Sequence, residues 1–242
     1  MKIPEDFFRS KISDIPADLT SKRAIMLSKF IQHFEEEAIY IYSIKENRMI
    51  YASGWETVLG YKDDEINMRL LMDITAPEHA VSARNFNDKA LIFILNKSKD
   101  LEKYSLSIEL KKTHKEGSLV PLIEKVKAFN SENGRVTEII GRSQINRNLI
   151  FSKVIRYAVY GPEKTDLEYE LNSGLFKHDV ISYKEKEALR LITKGLSFKE
   201  VAHHLQISQS AIEKRIIPLY KRFGVKSLSH LISYAYENQI LQ

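Results

Sequence analysis

SYKEKEALRLITKGLSFKEVAHHLQISQSAIEKRIIPLYKRFGVKSLSHLISYAYENQIL, running from Ser182 to Leu241, carries start and stop signals for four short helices. Ser182 and Glu185 form an S-x-x-E capping box, in which each side chain satisfies a backbone N–H of the other's turn, so a first helix begins at Tyr183. Gly195 ends it, because glycine enters the left-handed cap conformation without a Cβ clash. Ser197 and Glu200 repeat the box and open a second helix over Phe198 to Leu205. Gln206 and Ile207 make a short turn. Ser208 caps a third helix that ends at Gly224, and Ser227 caps a fourth.

The third helix has two distinct sides. Ile212, Ile216, Leu219 and Phe223 follow a spacing of i, i+4, i+7, i+11 and share one apolar stripe. Ser210, Lys214, Ile217 and Lys221 lie opposite. An isolated amphipathic helix of this kind is more often ordinary core than a binding element. Here the preceding helix offers Val201 and Leu205 inward, small Ala202 where two helices cross closely, and a turn of only a few residues. That combination is the helix-turn-helix arrangement, whose second helix enters the DNA major groove.

KEKEALRLITKGLSFKEVAHHLQIS, AIEKR, LYKRFGVKS and LSHLISYA, in that order, resemble the LuxR-type (NarL/FixJ-type) DNA-binding domain over essentially its whole length. The resemblance implies that Lys199 and Ser208 contact phosphates, that Lys214 and Ile217 face bases, and that Lys221 binds the DNA backbone. It implies a dimer contact for the closing helix. Three residues depart from the family pattern. Glu213 stands where many members carry lysine; a carboxylate repels phosphate but accepts from cytosine N4 at a base edge. Arg215 replaces a frequent histidine. Pro218 removes a backbone hydrogen bond and is expected to kink the helix, at a cost of about 3 kcal/mol in an ordinary helix, which confines the readable part to Gln209–Ile217.

The 242 residues are long enough for two domains with a core each. The formal net charge is +5. From Asp179 onward ten Lys/Arg stand against six Asp/Glu, so most of the excess lies in the last quarter, as a phosphate-binding module requires. A solvated basic face gives the same count. The absence of cysteine excludes disulfides, thiolate nucleophiles, cysteine-ligated metal centres and a flavin held as a thiol adduct. No signal peptide and no membrane-spanning run are read, so a soluble cytoplasmic protein without membrane contact is expected.

The front of the chain changes character. Residues 1–34 read as a helical extension in which Ile25, Leu27, Ile31 and Phe34 offer an imperfect apolar face. Strands are expected at Ala38–Ile44 and Met49–Ala52, then short helices over residues 55–96, then strands at Tyr104–Leu110, Val120–Phe129 and Val136–Arg142. Asn133-Gly134 marks the last hairpin. The order, with Tyr40-Ile41-Tyr42, Leu59-Gly60-Tyr61, Ala76-Pro77-Glu78 and Glu116-Gly117, resembles the PAS sensor domain. That resemblance implies a five-stranded antiparallel sheet with helices over one face. The expected organisation is therefore α+β: a helical extension (1–34), a PAS-like domain (35–146), a linker (147–177) with a helix near Leu149–Val159, and an all-α four-helix DNA-binding domain (178–242).

Other chemistry reads weakly. Trp55 and the front tyrosines suit either a small-molecule cavity or packed core, with core the commoner outcome. His33 and His79 are lone histidines, more often structural than haem ligands. Asp63, Asp64 and Glu65 suit the start of a following helix. His203 and His204 lie about 100° apart on a helix and cannot jointly grip one ion. No catalytic motif is present, so an enzyme is not expected. The reading is a sequence-specific transcription regulator whose front domain senses a signal or mediates dimerisation. No cofactor is predicted, and a small-molecule ligand in the front domain is left open. The implied partners are double-stranded DNA and a second copy of the chain, with RNA polymerase a further candidate. Two alternatives stay open: an interaction module whose helix-turn-helix does not read DNA, and a sigma-factor-like promoter-recognition protein.

Overall fold

A computed structural model describes residues 7–147, 155–174, 181–237 and 240–241. They fall into two compact units, a front unit reaching Leu171 and a C-terminal unit. The front unit opens with α1 (Phe7–Ser10) and α2 (Lys22–Phe30), followed by β1 (Glu37–Ser43), β2 (Arg48–Ser53), α3 (Trp55–Leu59), α4 (Met68–Asp73) and α5 (Pro77–Leu95). The strands β3 (Ser105–Thr113), β4 (Leu119–Glu132), β5 (Arg135–Ile145) and β6 (Arg156–Tyr160) come next, then α6 (Lys164–Gly174). All strands join one antiparallel sheet in the order β2-β1-β5-β4-β3-β6.

β1 is buried along its whole length, because it is covered on both faces. On one face Tyr40 and Tyr42 join a core with Trp55, Leu59, Met68 and Leu122. On the other, Ile41 packs with Ala24 and Leu27 of α2. Ser21 starts α2 by accepting the Ala24 N–H, and Arg23 pins the helix to buried Glu138 on β5 at 2.6 Å. The stripe expected from Ile25, Leu27, Ile31 and Phe34 is thus corrected. Ala24 and Leu27 form the buried side, while Ile25 is 47% and Phe34 74% exposed.

Trp55 anchors the helices to the sheet. It is fully buried, and its indole N–H donates to the Ile39 carbonyl at 3.0 Å. Asp63 accepts the Trp55 backbone N–H at 2.9 Å, so it caps the preceding helix α3 rather than a following one. Glu65 accepts the Lys62 N–H and pairs with Lys115 at 2.8 Å. Pro77 occupies the first turn of α5, where its missing N–H costs nothing. His79, one turn in, is buried and accepts the Lys111 N–H at 3.0 Å.

The sheet has a sixth strand beyond the five expected. Arg156–Tyr160 pairs antiparallel with β3, with Arg156 opposite Glu109 and ion-paired to it. The sequence places this segment in the expected linker and in part of a helix near Leu149–Val159, and the strand corrects both; residues 148–154 lie outside the described residues. A five-residue edge strand has too short a period to declare itself, and the β3 edge that receives it is distant in sequence. α6 then buries Leu167 and Leu171 completely, and Lys89 of α5 donates to the Glu170 carbonyl.

The C-terminal unit holds α7 (Tyr183–Thr193), α8 (Phe198–His204), α9 (Gln209–Phe223) and α10 (Leu228–Glu237). Both capping boxes form. Gly195 and Gly224 take positive φ of 93° and 65° at the helix ends. Ser208 and Ser227 accept the Ala211 and His230 N–H groups. The core joins Leu189, Ile192, Val201, Ala202, Ile212, Ile216, Leu219, Phe223 and Leu231.

Candidate nucleic-acid interface

α8 and α9 meet through Val201 and Ala202 on one side and Ile212 and Ile216 on the other, all in the common core. The turn between them places Gln206 at φ 54°, an uncommon conformation for a residue with a side chain. The Ile207 N–H returns to the Ala202 carbonyl at 3.0 Å and closes the turn. α9 runs as one α-helix through Pro218 to Phe223. Leu219 and Phe223, beyond the proline, are buried with Ile212 and Ile216, so the apolar stripe keeps its phase. The helix thus ends at Gly224, as its sequence signals imply. Pro218 is itself exposed, and the hydrogen bond it cannot make is lost from the solvent side.

The opposite side of α9 presents Ser210, Lys214, Ile217 and Lys221, all exposed, and Ile217 is 51% exposed. Lys199 is exposed in the first turn of α8. Ser208 accepts the Ala211 N–H at 3.2 Å through one lone pair of its hydroxyl, whose O–H can still donate. Glu213 is half-buried and accepts from the Gln209 amide at 2.9 Å. The first turn of α9 carries no acidic residue, which leaves its partial positive charge available to an anion.

One cation of the basic excess has a structural task the sequence did not signal. Arg222 pairs with Glu185 at 3.1 Å and ties the end of α9 to the start of α7. Burial raises the Glu185 carboxyl, but the Ser182 N–H, the Arg222 guanidinium and the Ser182 hydroxyl outweigh it and hold the group below the ordinary glutamate range. A carboxyl depressed in the folded state stabilises above its unfolded pKa and loses that contribution as pH falls through the folded value. The C-terminal unit should therefore melt at progressively lower temperature as pH drops below the ordinary glutamate range, and Glu185→Gln should flatten that dependence. Parallel pH profiles for the two proteins would remove Glu185 from the account.

The front unit holds a cavity of about 90 Å³ between α4, α5 and the sheet, lined among others by Tyr40, Met68, Leu71, Phe86 and Leu91. Trp55 belongs to the packed core, whereas Tyr40 borders the cavity. Lys112 and Glu124 bring charge to the lining. Buried Lys112 donates to the Leu71 carbonyl and lies 3.4 Å from Glu124. Burial, with the Glu124 charge, pushes the Tyr40 phenol far up, so it keeps its proton. Among the described residues no His/Asp/Glu group could hold a metal ion, and no helix is long and apolar enough to cross a membrane.

Residues 179–235 match the family model described as bacterial regulatory proteins, luxR family, so the C-terminal helix-turn-helix is of the LuxR type. Among curated proteins, the chain is 27% identical over 90 residues to the CsgBAC operon transcriptional regulatory protein of Escherichia coli (strain K12), covering 35% of this chain and 42% of that one. It is 33% identical over 63 residues to the oxygen regulatory protein NreC of Staphylococcus aureus (strain JH9), covering 26% and 29%. The match thus spans less than half the length of either relative. Among solved structures, VqmA bound to DPO aligns over 92% of this chain and 90% of that one at 16% identity and TM-score 0.36. A PAS domain from Colwellia psychrerythraea aligns over 50% and 97% at 15% identity and TM-score 0.38.

Proposed function

We propose that this chain is a sequence-specific DNA-binding transcription regulator that acts as a homodimer and whose front unit senses a signal. The observation that carries the proposal is the side of α9 turned away from the core, where Ser210, Lys214, Ile217 and Lys221 stand exposed within a LuxR-type segment. Lys199, Ser208 and Lys221 neutralise or bind phosphates and set the register. Lys214 and Ile217 face base edges, and Glu213 stands beside them. Two relatives named as regulatory proteins support the class. The small cavity beside Tyr40, Lys112 and Glu124 suits a compact, largely apolar molecule with a polar end. Its occupation would shift the front unit between arrangements that differ in affinity for the ligand.

Selection from a random duplex library, run with the wild type and with Lys214→Ala, tests the assignment. A lysine that reads a base contributes roughly 1–3 kcal/mol of discrimination, so the variant should lose about fivefold or more of its preference at one position per half-site. The same preferred sequence at the same stringency would take Lys214 out of base reading.

A further inference from the structure

Resting on the DNA reading above, we infer that Ile217, with Pro218 beside it, recognises the C5 methyl group of thymine in the major groove. The two residues sit where apolar groups are least expected. On a helix turning about 100° per residue, Ser210, Lys214, Ile217, Pro218 and Lys221 fall within an arc of about 100°. The rest of that arc is polar or cationic, and the core-facing stripe opposite it is fully satisfied by Ile212, Ile216 and Leu219, each 0% exposed. Of the large apolar side chains exposed among the described residues of this unit, Tyr183, Ile217 and Tyr236, only Ile217 is aliphatic. It can offer a base edge no hydrogen bond.

A lone exposed aliphatic residue needs no explanation. Here its place supplies one. Lys214 lies three residues before Ile217 and Lys221 four after, both exposed, so an anionic partner that engages both cations brings its surface against Ile217. Pro218 adds a second apolar group that has no N–H to donate. Among the four major-groove edges only thymine displays an apolar group, its C5 methyl; the other positions present donors and acceptors. An isoleucine held against any other base would bury polar atoms without a partner, so the ridge both favours thymine and disfavours its alternatives.

The test uses the full-length protein and duplexes carrying its selected site, with each thymine replaced in turn by deoxyuridine. Uracil keeps every hydrogen-bonding atom of thymine and lacks only the methyl. At one thymine per half-site the replacement should weaken wild-type binding about fourfold, the worth of one buried methyl, and about fifteenfold when both half-sites are changed. In Ile217→Ala, thymine and uracil duplexes should bind alike, while the slope of affinity against salt stays that of the wild type. Steep salt dependence without any methyl effect, or an equal methyl effect in both proteins, overturns the inference and leaves the DNA reading standing. Absence of binding to any duplex at low salt overturns both. Ile217 is half-exposed, and an unchanged melting temperature of the variant confirms that its fold is intact.

Discussion

Replacing Lys199 and Lys221 together by alanine should lower affinity for duplex DNA by on the order of a thousandfold at about 0.1 M salt, with little change in sequence preference. Each lysine that neutralises a phosphate releases condensed counterion and contributes about 0.9 to the slope of log affinity against log salt. A two-fold dimer carries each lysine twice, so the double variant loses four contacts and its slope becomes shallower by roughly 3.6. Both side chains are exposed, and their removal leaves the core of the C-terminal unit untouched. Titration across a salt series measures the effect directly. A double variant with the wild-type slope would show that these lysines do not meet phosphate.

The second large effect is on stability. Trp55→Ala should cost the front unit about 3–5 kcal/mol, because it removes a fully buried aromatic and leaves a cavity that rigid neighbours fill only in part. It also strips the Ile39 carbonyl of the indole N–H that satisfies it, and an unpaired buried acceptor carries its own penalty. The C-terminal unit has a separate core, so chemical denaturation followed by circular dichroism should resolve an early transition in the variant and an unshifted later one. A loss below about 1 kcal/mol would mean that the site collapses around the missing ring and that Trp55 is not the anchor described.

The C-terminal unit was legible in the sequence because its signals are local. Each capping box spans four residues, and Ser182–Glu185 and Ser197–Glu200 form as read. The stripe from Ile212 to Phe223 is a single-helix property. Pro218 by itself costs the helix a backbone hydrogen bond, yet α9 continues to Phe223, with Leu219 and Phe223 buried in the core shared with α7, α8 and α10. Tertiary packing overrides propensity at that position.

In the front unit the five expected strands all form, although β1, buried on both faces, shows no alternation. β6 was not legible, because Arg156–Tyr160 becomes a strand only by pairing with Ser105–Glu109 across more than forty residues. The caps supplied by Asp63, and the buried pairing of Lys112 with Glu124, likewise depend on neighbours brought together by the sheet. Of the interface, periodicity could place Ser210, Lys214, Ile217 and Lys221 on one side of a helix. Their roles toward phosphate and base came from resemblance alone. The engagement of Arg222 with Glu185 lies beyond both, since it joins residues 37 positions apart.

The central claim is that α9 reads duplex DNA by its exposed side. The measurement that tests it most directly is a titration of the purified full-length protein against duplexes enriched from a random library, repeated from about 50 to 200 mM salt. The account predicts an enriched, two-fold-related sequence whose affinity falls steeply and log-linearly with salt. A folded protein that enriches no sequence at the lowest salt, or binds with an affinity indifferent to salt, would contradict it.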